Sequence, residues 1–286
     1  MSIPKKHHYV AQMHIKRFGD HREKLWAFHK SGKTAFPADS YAVFAETHLY
    51  TSEDATGTKD SSLESEFSVL EGKVNPIITK LVEAARAGED PELTPDERQI
   101  WDDYFYSQWK RVPDMLAKVP TLANGQARLD SLFAEFRARG PEYAAQIDAL
   151  DTPSERARVL KSAQTQAIRA DSPAVKDILR SRGLTLLHIP HAGDVFLLGS
   201  YPIIRLPGEL TEVSGGAWLP IAPDVAVGPG PANLKTEVRT LTDPDTIDAM
   251  NTIVAAQSST IASASKAVVE RYMPRAPEVK DADTTS

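Results

Sequence analysis

LTLLHIPHAGDVFLLGSYPIIRL, Leu184 to Leu206, is the stretch at which the chain changes its period. Its apolar residues come in short branched runs cut by Gly and Pro, with HAGD as a turn, which is the pattern of strands rather than of an amphipathic helix. AWLPIAP (217–223) and VAVG (225–228) repeat it downstream. Upstream, the apolar residues recur at helical spacing as far as Gly183, whose place at the end of that run is the place of a helix C-cap. The fold class read from this switch is α+β: an N-terminal hairpin, a helical middle, C-terminal antiparallel strands and a final helix. That helix starts at Asp243-Pro244 and is expected to run through a Ser/Ala-rich segment to about Tyr272.

Moving back toward the N-terminus, residues 121–182 read as successive helices, with Thr152-Pro153 and Ser172-Pro173 as starts. TPDERQIWDDYFYSQWKR opens with Thr94 as N-cap, Pro95 in the first turn and Glu97 closing a capping box. Its buried face is expected to carry Trp101, Tyr104, Phe105, Gln108 and Val112, with Pro113 ending it. Another helix starts at SSLESEF, where Ser61 and Glu64 have capping-box spacing. Leu63, Phe67, Leu70, Val74, Ile77 and Leu81 form its apolar stripe. Pro76 removes one backbone bond inside that helix, so a kink is expected there.

KLWAFHK, with Leu25, Ala27 and His29 alternating, reads as one arm of a hairpin turning at Ser31-Gly32, and residues 34–60 look irregular. Ahead of it stands PKKHHYVAQMHIKRFGD, Pro4 to Asp20, unusually dense in imidazole and positive charge. Residues 1–33 hold eight Lys/Arg against two Asp/Glu, leaving 25 against 37 for the rest of a chain whose net charge is −6. An anionic partner would therefore meet the N-terminal segment first. The overall acidity argues against a protein that coats DNA through a broad basic footprint.

With 286 residues, 41% of them hydrophobic, the chain can bury a large core. The reading is a single domain over 1–273 with a helical sub-lobe around 114–182, and a disordered tail over 274–286. No apolar run is long enough to span a bilayer and no secretion signal opens the chain, so the expectation is a cytoplasmic protein with no membrane partner. The absence of cysteine excludes disulfides, thiolate metal sites and cysteine nucleophiles. SGKT (31–34) has only the end of a phosphate-loop pattern, and GxSxG, HExxH and GxGxxG are absent.

HHYVAQMHIKRF resembles the N-terminal signature of the domain of unknown function 4238 family, whose members typically open HHYVPQxYLRxF. The strand with Trp26, the extended segment ending in Tyr50, the helix with Glu64 and Glu71, and QWKRVP (108–113) fit the same resemblance in order. Two positions depart from it. Ala11 stands for the usual proline, and GSYP (199–202) stands where relatives tend to carry Ser-Asp-Asn-Pro, so that Ser200 replaces an aspartate. The resemblance implies a fold neighbourhood and no established reaction.

Among the residues that could carry chemistry, His7 and His8 are adjacent, so they point apart if extended and lie about 100° apart if helical; one metal ligand plus one supporting residue is the expectation. Glu64 and Glu71, seven apart, lie on one side of a helix flanking its apolar stripe. One histidine and these two carboxylates would suit Mg²⁺ or Mn²⁺, with a bound water activated. Glu64 has a second use open to it in closing the Ser61 cap. The shared seven-residue spacing of His7, His14 and His21 is read as accidental, because Gly19-Asp20 should end any helix before His21. Gln108 falls on the apolar side of its helix and must find partners. Arg111, at the edge, could grip a phosphate or pair with Glu64 or Glu71. Beside a purely structural reading, in which the HHY segment packs under the hairpin with its imidazoles bonded to helix carboxylates, two functions follow. One is a metal-dependent hydrolase, nuclease-like, with His7 or His8 as base or ligand, Glu64 and Glu71 on the metal, and Lys5, Lys6, Arg17, Gln108 and Arg111 toward the substrate. The other is a non-catalytic binding or regulatory module gripping a nucleic acid, nucleotide or acidic protein through its basic N-terminal segment.

Overall fold

The hairpin, the helical middle and the C-terminal strands all form in the computed structural model, which describes residues 6–54, 56–117, 124–191, 193–206 and 216–274. Lys5 and the expected tail after Pro274 lie outside the described residues. From the N-terminus come β1 (Lys6–His8), α1 (Gln12–Arg17), β2 (Lys24–His29), β3 (Phe36–Asp39), β4 (Ala45–Thr47), β5 (Ser52–Glu53) and β6 (Lys59–Asp60). The helical stretch holds α2 (Ser62–Ala87), α3 (Pro95–Lys110), α4 (Pro113–Leu116), α5 (Gly125–Arg137), α6 (Pro141–Leu150), α7 (Pro153–Arg169) and α8 (Pro173–Arg180). After it come β7 (Leu184–His188), β8 (Leu198–Gly199), β9 (Ile204–Arg205), β10 (Ala217–Ala222), β11 (Val225–Pro229) and β12 (Glu237–Thr240). The chain closes with α9 (Pro244–Gln257), β13 (Thr260–Ser263) and α10 (Lys266–Arg271).

Two sheets organise the molecule. The larger runs β12-β7-β11-β10-β9 and the smaller β3-β2-β13-β8. Alternation on β11 shows how the larger one is used. Val225 and Val227 pack with Leu81, Trp101 and Tyr104 of the long helices, while Ala226 faces Phe28, Met250 and Ile261 on the other side. Both faces are covered, so these strands read as continuous apolar runs rather than as alternating ones. Thr94 makes the expected capping box, and Trp101, Tyr104, Phe105, Gln108 and Val112 are all buried. The apolar stripe of α2 packs as expected, and α2 passes unbroken through Pro76. The carbonyl of Gly72, which Pro76 cannot reach with an N–H, belongs to an exposed residue with open space beside it.

Three local expectations are corrected. The final helix is interrupted: β13 lies between α9 and α10 and pairs with β2 (Ile261 opposite Phe28) and with β8 (Ala262 opposite Leu198). Ala and Ser suggest helix or loop, but here their small side chains fit an interior strand between two neighbours, with all four residues of β13 buried. β12 joins β7 in parallel, beside antiparallel pairs elsewhere, and its polar composition suits a sheet edge. Gly183 is not a left-handed cap. Its N–H bonds the Pro231 carbonyl at 2.8 Å, and a Cβ there would lie 1.8 Å from the Lys235 carbonyl oxygen. Gly183→Ala must therefore push backbone aside, and a loss of about 1–3 kcal/mol in chemical denaturation is expected.

Candidate functional site

β1 places the double histidine by simple alternation: His7 is buried against α2 and the 48–50 segment, while His8 turns the other way and stays half-buried. The His7 ring stacks on Tyr50 at 5.7 Å between centroids and meets His48 edge-on at 6.3 Å. Its Nδ1 accepts the Tyr50 backbone N–H at 3.0 Å, which assigns the neutral ring's proton to Nε2. His8 donates from Nε2 to the Tyr41 carbonyl at 3.2 Å, leaving a lone pair on Nδ1. Burial pulls its pKa below the ordinary imidazole value, against the lift from the Tyr41 carbonyl.

The first turn of α2 brings Glu64 to the same ring, with Oε2 3.9 Å from His7 Nδ1. The capping box expected for Ser61 is absent: the Ser61 side chain caps nothing, and Asp60 accepts from the Ser62 N–H instead. Released from that duty, Glu64 turns inward, where its Oε2 is buried and without a hydrogen bond. Burial, opposed by the Arg111 charge and reinforced by Glu71, pushes its carboxyl up to about 7. Two turns further, Glu71 Oε1 accepts from Arg111 Nη1 at 2.7 Å.

Arg111 is the hub. It is 1% exposed, lies over the Phe67 ring at 4.8 Å and donates from Nε to the Tyr9 carbonyl at 2.9 Å. With its amide oxygen turned to the guanidinium, Gln108 accepts from Nη2 at 2.6 Å and from Nε at 2.9 Å. The Arg111 carbonyl in turn accepts from the Tyr50 hydroxyl at 3.2 Å. His7, Glu64, Glu71, Gln108 and Arg111 thus converge from β1, α2 and the end of α3. Arg17 does not join them. It bonds Asn75 and Thr79 and ties α1 to α2, while Lys6 lies over the Tyr41 ring at 5.3 Å. His14, read as a chance member of the histidine spacing, is a buried core residue. It donates from Nε2 to the Pro220 carbonyl at 2.6 Å and accepts the Tyr104 hydroxyl at 2.9 Å.

Burial pulls the pKa of His14 down to about 4. Unfolded, this ring takes its proton near the ordinary value of about 6.5, so the unfolded chain binds more protons between the two values. The contribution is complete above about pH 6.5 and is lost as pH falls toward 4, some 3 kcal/mol in all. A falling unfolding midpoint from pH 7 to pH 5 is the expected result, with the acid slope reduced in His14→Asn.

The donors expected for Mg²⁺ or Mn²⁺ do not share one point. Glu71 is engaged by Arg111, Nδ1 of His7 accepts a backbone N–H, and among the described residues no three His, Cys, Asp or Glu side chains form a ligand group. A hard divalent ion takes several oxygens at once, and these residues do not offer such a set.

Sequence reasoning missed a second polar knot beside the first. Asp114 Oδ2 accepts from the Ser200 hydroxyl, from Ser259 N–H at 3.1 Å and from the Ser259 hydroxyl at 3.2 Å. Asp114 stands in the first turn of α4, and only the approach of the chain at Ser200 and Ser259 gives it these partners. His48 was likewise unmarked, and Tyr50 entered only as the end of an extended segment in the family resemblance.

The fold and site together define an α+β protein built around a buried arginine, carboxylate and imidazole network. Residues 6–267 match the model of the family described as protein of unknown function (DUF4238), and the chain belongs to that family. No curated protein and no solved structure matches it. Ser200 donates to Asp114; a carboxylate in its place would set two like charges at hydrogen-bonding distance. Among the described residues no helix is long and apolar enough to cross a membrane.

Proposed function

We propose that this protein is a cytoplasmic hydrolase, nuclease-like in acting on a phosphate-containing substrate, with Glu64 as its acid–base group. The observation that carries this reading is the buried, unbonded Oε2 of Glu64 beside His7, on a carboxyl pushed up to about 7. A group poised near the working pH can both give and take a proton. Glu71 has its arginine, whereas Glu64 has no comparable partner, and a purely structural carboxylate is not left this way at no cost. His7, its ring fixed by the Tyr50 N–H, sets the position of Glu64, and the Nδ1 lone pair of His8 is a second proton acceptor. No step here runs through a divalent ion.

The alternative, a non-catalytic module gripping nucleic acid or an acidic protein by the N-terminal segment, draws less support. Lys16 and Lys24 are paired with Glu23 and Asp39, and Arg17 is bonded within the fold, so much of the basic surplus is answered internally. The test is purified protein assayed against RNA, DNA and nucleotides, with and without Mg²⁺ or Mn²⁺, beside Glu64→Gln. Turnover that falls in the variant supports the hydrolase. No turnover under any condition, with salt-sensitive binding retained, supports the module.

A further inference from the structure

We propose that the cleft between the β4–β6 segment and α7 binds the phosphate of a small phosphate monoester that carries hydroxyl groups, sugar-like or nucleotide-like. The cleft has a volume of ≈ 390 Å³, within the range of small-molecule sites, and is bordered by His48, Thr51, Glu53, Lys59, Arg158 and Lys161. Two of its lining residues carry a polar atom without a hydrogen bond. The Oγ1 of Thr51, a residue 7% exposed, and the Nδ1 of His48 are both buried without a hydrogen bond. His48 is held there on a left-handed backbone, φ 55°, which costs energy for a residue with a Cβ.

The charge in the cleft has the sign an anion needs. Lys59 and Lys161 form no ion pair among the described residues, whereas Arg158 is answered by Glu155 at 2.6 Å. Lys161 is half-buried, and desolvation pulls its pKa below the usual lysine value against a smaller lift from the Glu46 charge, so an incoming dianion would add to its counter-charge. The Thr51 hydroxyl and the Lys161 ammonium both donate to a phosphate oxygen. Glu53 on the border repels phosphate and accepts from hydroxyls, which is why the ligand is a hydroxylated ester rather than inorganic phosphate. His48 joins this cleft to the polar network, its ring edge-on to His7. The inference supplies a substrate class for the hydrolase reading and rests on it only for turnover, since binding needs none of the acid–base groups.

Isothermal titration of the full chain with ribose 5-phosphate, inorganic phosphate and ribose decides it. Saturable binding of ribose 5-phosphate, weaker binding of phosphate and none of ribose is the expected result. Lys161→Met and Thr51→Val should each weaken it about tenfold, as for loss of one charge-assisted bond. The exposed Lys59→Ala should weaken it less while leaving folding intact. Absence of phosphate-ester binding, or binding unchanged in Lys161→Met and Thr51→Val that unfold like the parent, would overturn the site. Inorganic phosphate bound as tightly as the ester would overturn its hydroxylated ligand. Glu64→Gln is expected to bind ribose 5-phosphate as the parent does. Lost turnover with kept binding therefore separates failure of the hydrolase from failure of the cleft.

Discussion

Arg111→Met should cost about 3–5 kcal/mol in urea unfolding, the largest stability effect expected of one side chain in the network. The guanidinium is fully buried, and its removal strands three acceptors at once: Glu71, the Gln108 amide oxygen and the Tyr9 carbonyl. Methionine keeps much of the volume, and its contact with Phe67 can persist, so the loss reports on polar groups rather than on a cavity. Glu71, about one-fifth exposed, can turn toward water and moderates the cost. Glu71→Leu with Arg111→Met should therefore lose less than the two single changes summed, because the pair is removed together. A double-mutant cycle giving strict additivity would show that the pair does not couple.

Glu64→Gln is expected to lower turnover by roughly 10²–10⁴-fold, the usual contribution of a positioned acid–base group. Glutamine keeps the shape and removes the proton chemistry. Its effect on stability has the opposite pH sense to that of His14. Because the folded carboxyl is pushed up to about 7, the folded chain holds the Glu64 proton more tightly than the unfolded one. The stability this contributes is present below the unfolded value near 4.5 and is lost as pH rises through about 7. Glu64→Gln should abolish that alkaline limb and leave the acid limb due to His14. If the limb disappears while turnover on the phosphate substrates is unchanged, Glu64 is only a strained structural acid and its acid–base role fails.

How much of this was legible beforehand differs by element. The Thr94 capping box and the apolar face of α3 are local matters, settled by residues three or four apart, and they stand as read. The Ser61 box had the same spacing and did not form, since Asp60 took the role and Glu64 found an interior to turn into. Spacing states which bonds a helix end can make, not which competitor is nearer. The segment around Thr260 was read as helix because Ala and Ser tolerate it; pairing with β2 and β8 overrode that weak preference. Gln108 and Arg111 were marked by their places on the helix, and Arg111 found one of the carboxylates considered for it, Glu71.

By itself the sequence determined the α+β class, the helical middle, and membership in a family through the double-histidine opening. These follow from period, alternation and short-range caps, which are properties of neighbouring residues. Only the tertiary structure decided that Tyr50 would hold His7, that Glu64 would be buried unbonded, that Asp114 would meet Ser200, and that Lys161 and Thr51 would share a cleft. Those partners are 43 to 110 residues apart along the chain, and no local rule of backbone or side chain selects among the many polar residues that could have met.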